Sequence, residues 1–159
     1  MAPRPDGRIV VGVDGSPHSH AAVRWAARLA ALTGGPLEAV TVWEFPSLHG
    51  AHGLVLPALD GFGPERRAAA ILDETLAAAL SPGPAGPAAP TDPTDPGRPA
   101  VHRRLKAGPV GPALVSAAAD AAVLVLGRRG RCAPPGARLG TTSQYCVHHA
   151  GCTVVLVKE

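Results

Sequence analysis

Aromatic side chains are nearly missing from this chain of 159 residues, where two Trp, one Tyr and two Phe make up 3%. A base-stacking platform for nucleic acid needs more than that, and the fifteen Lys and Arg are scattered rather than gathered into one stripe. The net charge of +3 therefore does not point to a nucleic-acid partner, and none is expected. Cysteine is scarce as well. Cys132, Cys146 and Cys152 are an odd number at spacings that fit neither a zinc ribbon nor a CxxC pair, so a disulfide framework is not expected and the thiols should be reduced. No apolar run approaches the roughly 18 residues of a membrane span, so no membrane partner is expected. The first residues lead into a strand-like segment without the apolar middle of a secretory signal, and a cytoplasmic location follows as the expectation. Ser-His-Asp, HExxH and GxxxxGK[ST] patterns are also absent, which removes the commonest hydrolase and P-loop chemistries.

Apolar residues make up 46% of the chain and charged residues 17%, enough for one core and one domain spanning residues 1–159. Four short runs, at 9–13, 37–42, 122–126 and 153–157, are almost continuously apolar and rich in Val, Ile and Leu. Runs of this length read as strands buried on both faces, the mark of a parallel sheet covered by helices. Residues 101–107 mix apolar Val101, Leu105 and Ala107 with His102, Arg104 and Lys106, which suits an edge strand. Helical periodicity fills the gaps. In residues 17–33 it puts Ala22, Trp25, Leu29 and Leu32 on one face, with Ser16 as N-cap, Pro17 as first residue and Gly34-Gly35 as stop. A second stripe runs through Ala68, Leu72, Leu76 and Ala79 in 65–80, and helices are expected at 111–119 and 141–149. This regular alternation predicts a doubly wound α/β fold. Residues 81–99 are dominated by Pro, Ala, Gly, Thr and Asp and predict a flexible surface loop; residues 46–64 predict a second loop.

The most informative segment follows the fourth strand: Gly127-Arg128-Arg129-Gly130, nine residues, then Gly140-Thr141-Thr142-Ser143. Glycines at a strand's carboxyl end let a ligand approach the backbone, and Gly140-Thr141 opens a helix whose free N–H groups favour a phosphate. Gly-x-x-Gly, nine residues, Gly-Ser/Thr resembles the nucleotide-binding motif of the universal stress protein family. The segments Ile-Val-Val-Gly-Val-Asp-Gly-Ser-Pro at 9–17, 105–112, and Ser143-Gln144 through Val154-Val155-Leu156-Val157 agree with it. The resemblance implies a Rossmann-like open five-stranded parallel sheet of order 3-2-1-4-5 with helices on both faces. It further implies ATP with Mg²⁺ as ligand, Asp14 beside the ribose and phosphates, Val42 at the adenine, Gly127 by the ribose, and Gly130, Gly140, Thr141 and Thr142 around the phosphates. Two features depart from the family pattern: the nine-residue loop carries Pro134-Pro135, and Arg128 stands where a small Ser is usual. Arg129, with Arg128, Arg131 and Arg138, either contacts phosphate or is solvated.

Asp14 has a second reading as a turn residue accepting backbone N–H bonds. Cys146, His148, His149 and Cys152 invite a metal reading, but they splay over different faces of a helix end, so no metal site is expected. The function implied by the resemblance is an ATP-binding sensor or regulatory module in a stress response. It is expected not to be an enzyme, or to hydrolyse ATP slowly at most. A phosphotransferase would need a positioned base, and a nucleotide-free dimeric interaction protein is the other reading, which the intact glycines oppose and the altered loop favours. Thr153–Val157 is an apolar strand at a sheet edge, for which a homodimer is expected to provide the cover.

Overall fold

Val, Ile and Leu dominate the strands because a branched side chain packs well on a pleated surface that is covered on both sides. A computed structural model describes residues 7–44, 63–81, 99–131 and 133–159. Its five strands are β1 (Ile9–Gly12), β2 (Leu37–Trp43), β3 (Val101–Ala107), β4 (Val123–Gly127) and β5 (Thr153–Val157). The helices α1 (Pro17–Thr33), α2 (Pro64–Leu80), α3 (Val110–Ala117) and α4 (Thr141–His149) alternate with them. All strand pairs are parallel, in the order β3-β2-β1-β4-β5. Element bounds differ from the sequence expectation by one or two residues, and most of the two expected loops, 46–64 and 81–99, lies outside the described residues. Among the described residues no helix is long and apolar enough to cross a membrane.

Side chains alternate between two cores. Ile9, Val11, Leu37 and Val125 pack beneath α1 and α2 with Ala22, Ala26, Leu72 and Leu76. On the opposite face Val10, Val40, Leu124 and Leu126 pack against α3 and α4 through Leu114, Ala117 and Cys146. The α2 stripe buries all four expected residues. For α1 the expectation needs correcting: its buried face is Ser19, Ala22, Val23, Ala26 and Ala30, while Trp25 is 36% and Leu32 85% exposed. Ser19, Val23, Ala26 and Ala30 recur at helical spacing on a face about a third of a turn away from Trp25 and Leu32. A Cβ on Gly127 would stand 2.8 Å from the carbonyl carbon of His18, so the first turn of α1 lies directly against β4.

Glu38 is the one charged residue within the core of the described residues, at 7% exposure near the amino end of β2. Arg8 and Arg104 both donate to it, Arg104 Nη1 at 2.9 Å from Oε1. Burial alone would raise its carboxyl pKa, but the hydrogen bonds from Arg104 and Arg8 outweigh burial and hold it below the usual value. On the α3–α4 side, Cys146 is buried and its thiol is pushed up to about 11, chiefly by burial. His148 and His149 are exposed, His149 stacks on Tyr145 with ring centroids 4.0 Å apart, and no group of three potential ligands occurs among the described residues.

Candidate functional site

Helices that connect parallel strands run back along the sheet, so each begins at the carboxyl end of the strand before it. The β1–α1 turn illustrates how tightly that end is built. Gly15 takes φ +78, which few other residues would tolerate. Asp14 Oδ1 accepts the Ser16 N–H at 2.9 Å, Ser16 Oγ accepts the Ser19 N–H at 3.1 Å and caps α1, and Ser19 Oγ accepts the Asp14 N–H at 3.2 Å. The three residues thus close a local network that leaves the turn little freedom. Asp14 Oδ2 reaches further and accepts the Arg131 N–H at 3.1 Å, tying this turn to the β4–α4 loop.

The three motif glycines have distinct structural reasons, and none has positive φ. Gly127 lets α1 approach β4, as described above. Gly130 makes room for the Asp14 carboxylate: a Cβ there would lie 2.7 Å from Oδ2. At Gly140 a Cβ would lie 3.3 Å from the Gly130 nitrogen and 3.4 Å from the Arg129 Cα, so the two loop ends touch backbone to backbone. The Gly140 N–H donates to Arg128 O at 2.9 Å. Gly140 is the N-cap of α4 and provides no side-chain cap, so the amides of the first turn face the same end of the sheet. Ser143 Oγ donates to Gly127 O at 2.8 Å and pins that turn to β4. Between the glycines, Ala133 N donates to Gly130 O and Ala137 N to Pro134 O, so the described residues of the proline-bearing loop fold into turns. Arg129 Nη1 reaches Ala137 O at 3.5 Å, while its Nε is buried without a partner.

These elements surround a cavity of about 380 Å³, within the range of small-molecule sites. Asp14, Val42, Gly127, Arg129, Gly130, Gly140, Thr141 and Thr142 all line it, so every residue singled out from the sequence meets at one place. One wall is apolar, with Val13, Val40, Leu114 and Leu126 beside Val42; the other carries the loop amides and the hydroxyls of Thr141 and Thr142. The sequence reading missed the contribution of α2, whose first two turns supply Pro64, Arg67, Ala68 and Ile71. That contribution had a signal: α2 must start at the carboxyl end of the sheet, and these four residues follow helical spacing from its first position. Thr41 also lines the cavity, with its Oγ1 buried and unpartnered. Among the described residues Asp14 is the only carboxylate in the lining, and both of its oxygens accept backbone N–H groups. For a magnesium ion, which prefers oxygen ligands, this donor set is a poor fit.

A model of the universal stress protein family matches residues 7–158. Among solved structures, the fold is similar to that of universal stress protein UspA from Lactobacillus plantarum, at 24% identity and TM-score 0.62, covering 94% of this chain and 96% of that one. It is similar to a universal stress protein in complex with cAMP at 24% identity and TM-score 0.63, over 99% and 98% of the two chains. A universal stress protein from Archaeoglobus fulgidus in complex with dAMP matches at 21% identity and TM-score 0.56, over 99% and 100%. No curated protein matches the chain.

Proposed function

The chain belongs to the universal stress protein family, and from that membership we propose that it is a cytoplasmic, nucleotide-binding regulatory module of a stress response whose ligand is ATP. The observation that carries this reading is the convergence of all eight sequence-selected residues on one cavity at the carboxyl ends of the strands. An open parallel sheet binds ligands at this position, where β1 and β4 part to opposite sides. Two of the structural neighbours were solved with cAMP and dAMP, which supports a nucleotide of the adenine class here. The apolar wall beside Val42 suits the base, and the amides of the α4 first turn, with Gly130 and Gly140, suit phosphate oxygens. Asp14 orders the turn beneath them, beside the place a ribose would take.

Catalysis is not part of this proposal. Among the described residues the lining holds no His, Glu or Lys, and its one carboxylate is engaged by two amides, so none of these side chains is poised to activate a water or a hydroxyl. Binding is therefore read as a conformational or partner signal. A homodimer through β5 completes the proposal. The two sheet edges differ: β3 presents His102, Arg103 and Arg104 to solvent, whereas Val154–Val157 of β5 are apolar and half-buried. An apolar edge needs cover and a basic one repels its copy. Mass spectrometry of small molecules released from the purified protein tests the nucleotide. An adenine nucleotide in stoichiometric amount supports the proposal, and failure of adenine nucleotides both to be retained and to bind on titration refutes it.

A further inference from the structure

The cavity gathers more positive charge than its turn-building role requires. Among the described residues Arg67, Arg129 and Arg131 line it, against the single carboxylate of Asp14, which already accepts two backbone amides. Elsewhere in the described residues Arg8 and Arg104 share Glu38, and Arg103 pairs with Asp73. Neither Arg67 nor Arg131 has an acidic partner among the described residues. They also come from different walls. Arg67 stands in the first turn of α2, one turn before Ile71 on the same helix face. Arg131 follows Gly130 on the β4–α4 loop. A Cβ placed on Gly15 would lie 3.1 Å from Ile71 Cγ2 and 3.7 Å from Arg131 Cζ. The Arg131 guanidinium thus extends across the β1–α1 turn toward α2, from the wall that carries the phosphate-facing amides.

Resting on the nucleotide reading above, we infer that the site meets its ligand's charge with Arg67 and Arg131 from opposite walls, so that a nucleoside di- or triphosphate binds without a divalent cation. The physical argument has two parts. A guanidinium offers paired N–H donors that match phosphate oxygens, and its charge is permanent. A magnesium ion in the same volume would be held by one carboxylate with both oxygens engaged and would be repelled by the arginines. Neutralisation by the two guanidinium groups replaces neutralisation by the metal. The phosphates beyond the first then supply affinity, and a monophosphate gains little from Arg67. Because both side chains are exposed, the preference should weaken as salt rises.

The test is calorimetric titration of the full chain with AMP, ADP and ATP, in EDTA and in Mg²⁺, for the parent, Arg67→Gln and Arg131→Gln. The parent should rank ATP and ADP above AMP in EDTA, with no gain on adding Mg²⁺. Each glutamine variant should lose about tenfold to a hundredfold in ATP affinity in EDTA, should regain part of it with Mg²⁺, and should bind AMP as the parent does. Arg131→Lys, which keeps the charge without the fork, should fall between. Both residues are exposed, so folding should be retained, and circular dichroism checks it. If AMP, ADP and ATP bind the parent equally, or ATP needs Mg²⁺, or the glutamine variants keep the parent's ATP-to-AMP ratio, the inference fails while the nucleotide site stands. If no nucleotide binds the parent with or without Mg²⁺, the site reading itself fails and the inference with it.

Discussion

At the amino end of the strands Glu38 is buried between Arg8 and Arg104, its carboxylate held by donors from both neighbouring strands' sides; at the carboxyl end, among the described residues, three arginines share a cavity with one carboxylate that backbone amides already occupy. In the first arrangement each carboxylate oxygen has its own guanidinium, so removing either arginine takes a donor from a buried charge. In the second, donors remain available, and glycines rather than side chains hold the walls together. Charge at one end of the sheet is paired within the fold, and the proposal assigns charge at the other end to a ligand. Variants at the two ends should therefore separate stability from binding.

The largest effect is expected where the carboxyl end itself becomes structural. Gly127→Val places a branched side chain against the His18 backbone, 2.8 Å from where its Cβ must go, and neither α1 nor β4 can yield cheaply. A loss of about 3 kcal/mol or more is expected in urea denaturation. A parent-like midpoint would show that α1 is free to lift. Gly130→Val, only three residues away, should stay folded, because its Cβ meets the movable end of the Asp14 carboxylate rather than backbone.

Next in size is Glu38→Ala, which takes the shared carboxylate from Arg8 and Arg104 and should cost about 2 to 3 kcal/mol, the more exposed Arg104 contributing the smaller share. Its ATP affinity should match the parent's, and a fall would mean that the two ends are coupled. The same carboxylate makes stability depend on pH. Its pKa in the folded protein lies below the ordinary 4.5, so its contribution is fully present above that value and is lost as pH falls through the lower folded value. Denaturation midpoints should drop with acid below about pH 4.5 in the parent and drop less steeply in Glu38→Gln. Equal slopes would remove Glu38 as the titrating group.

Much of this was legible beforehand, and the reasons are specific. The strands are short apolar runs bounded by glycine or proline, so their positions came within a residue or two, whereas the strand order came from the family resemblance rather than from periodicity. The glycine motif located the cavity because its spacing is unusual. What escaped was what depends on distance between elements. Trp25 and Leu32 look like core because they are large and apolar, and only the placement of α1 on the sheet shows that the face of Ala22, Val23, Ala26 and Ala30 turns inward instead. Arg67 looks like any solvated cation on α2, and only the topology puts it opposite Arg131.

The smallest stability effect belongs to Arg67→Gln and Arg131→Gln, expected within about 0.5 kcal/mol of the parent in the same denaturation experiment. A loss comparable to that of Glu38→Ala would mean that these arginines hold the fold together and would end the contrast between the two ends.

Most direct of all is titration of ATP into the full chain and into Gly130→Val, followed by calorimetry, with circular dichroism and melting recorded beside it. Gly130→Val crowds Asp14 within the β4–α4 loop while leaving both cores untouched. Saturable binding by the parent at about micromolar affinity, with none by a folded Gly130→Val protein, is the expected result; equal affinity in the two folded proteins, or no binding by the parent, would contradict a nucleotide site at the carboxyl end of this sheet.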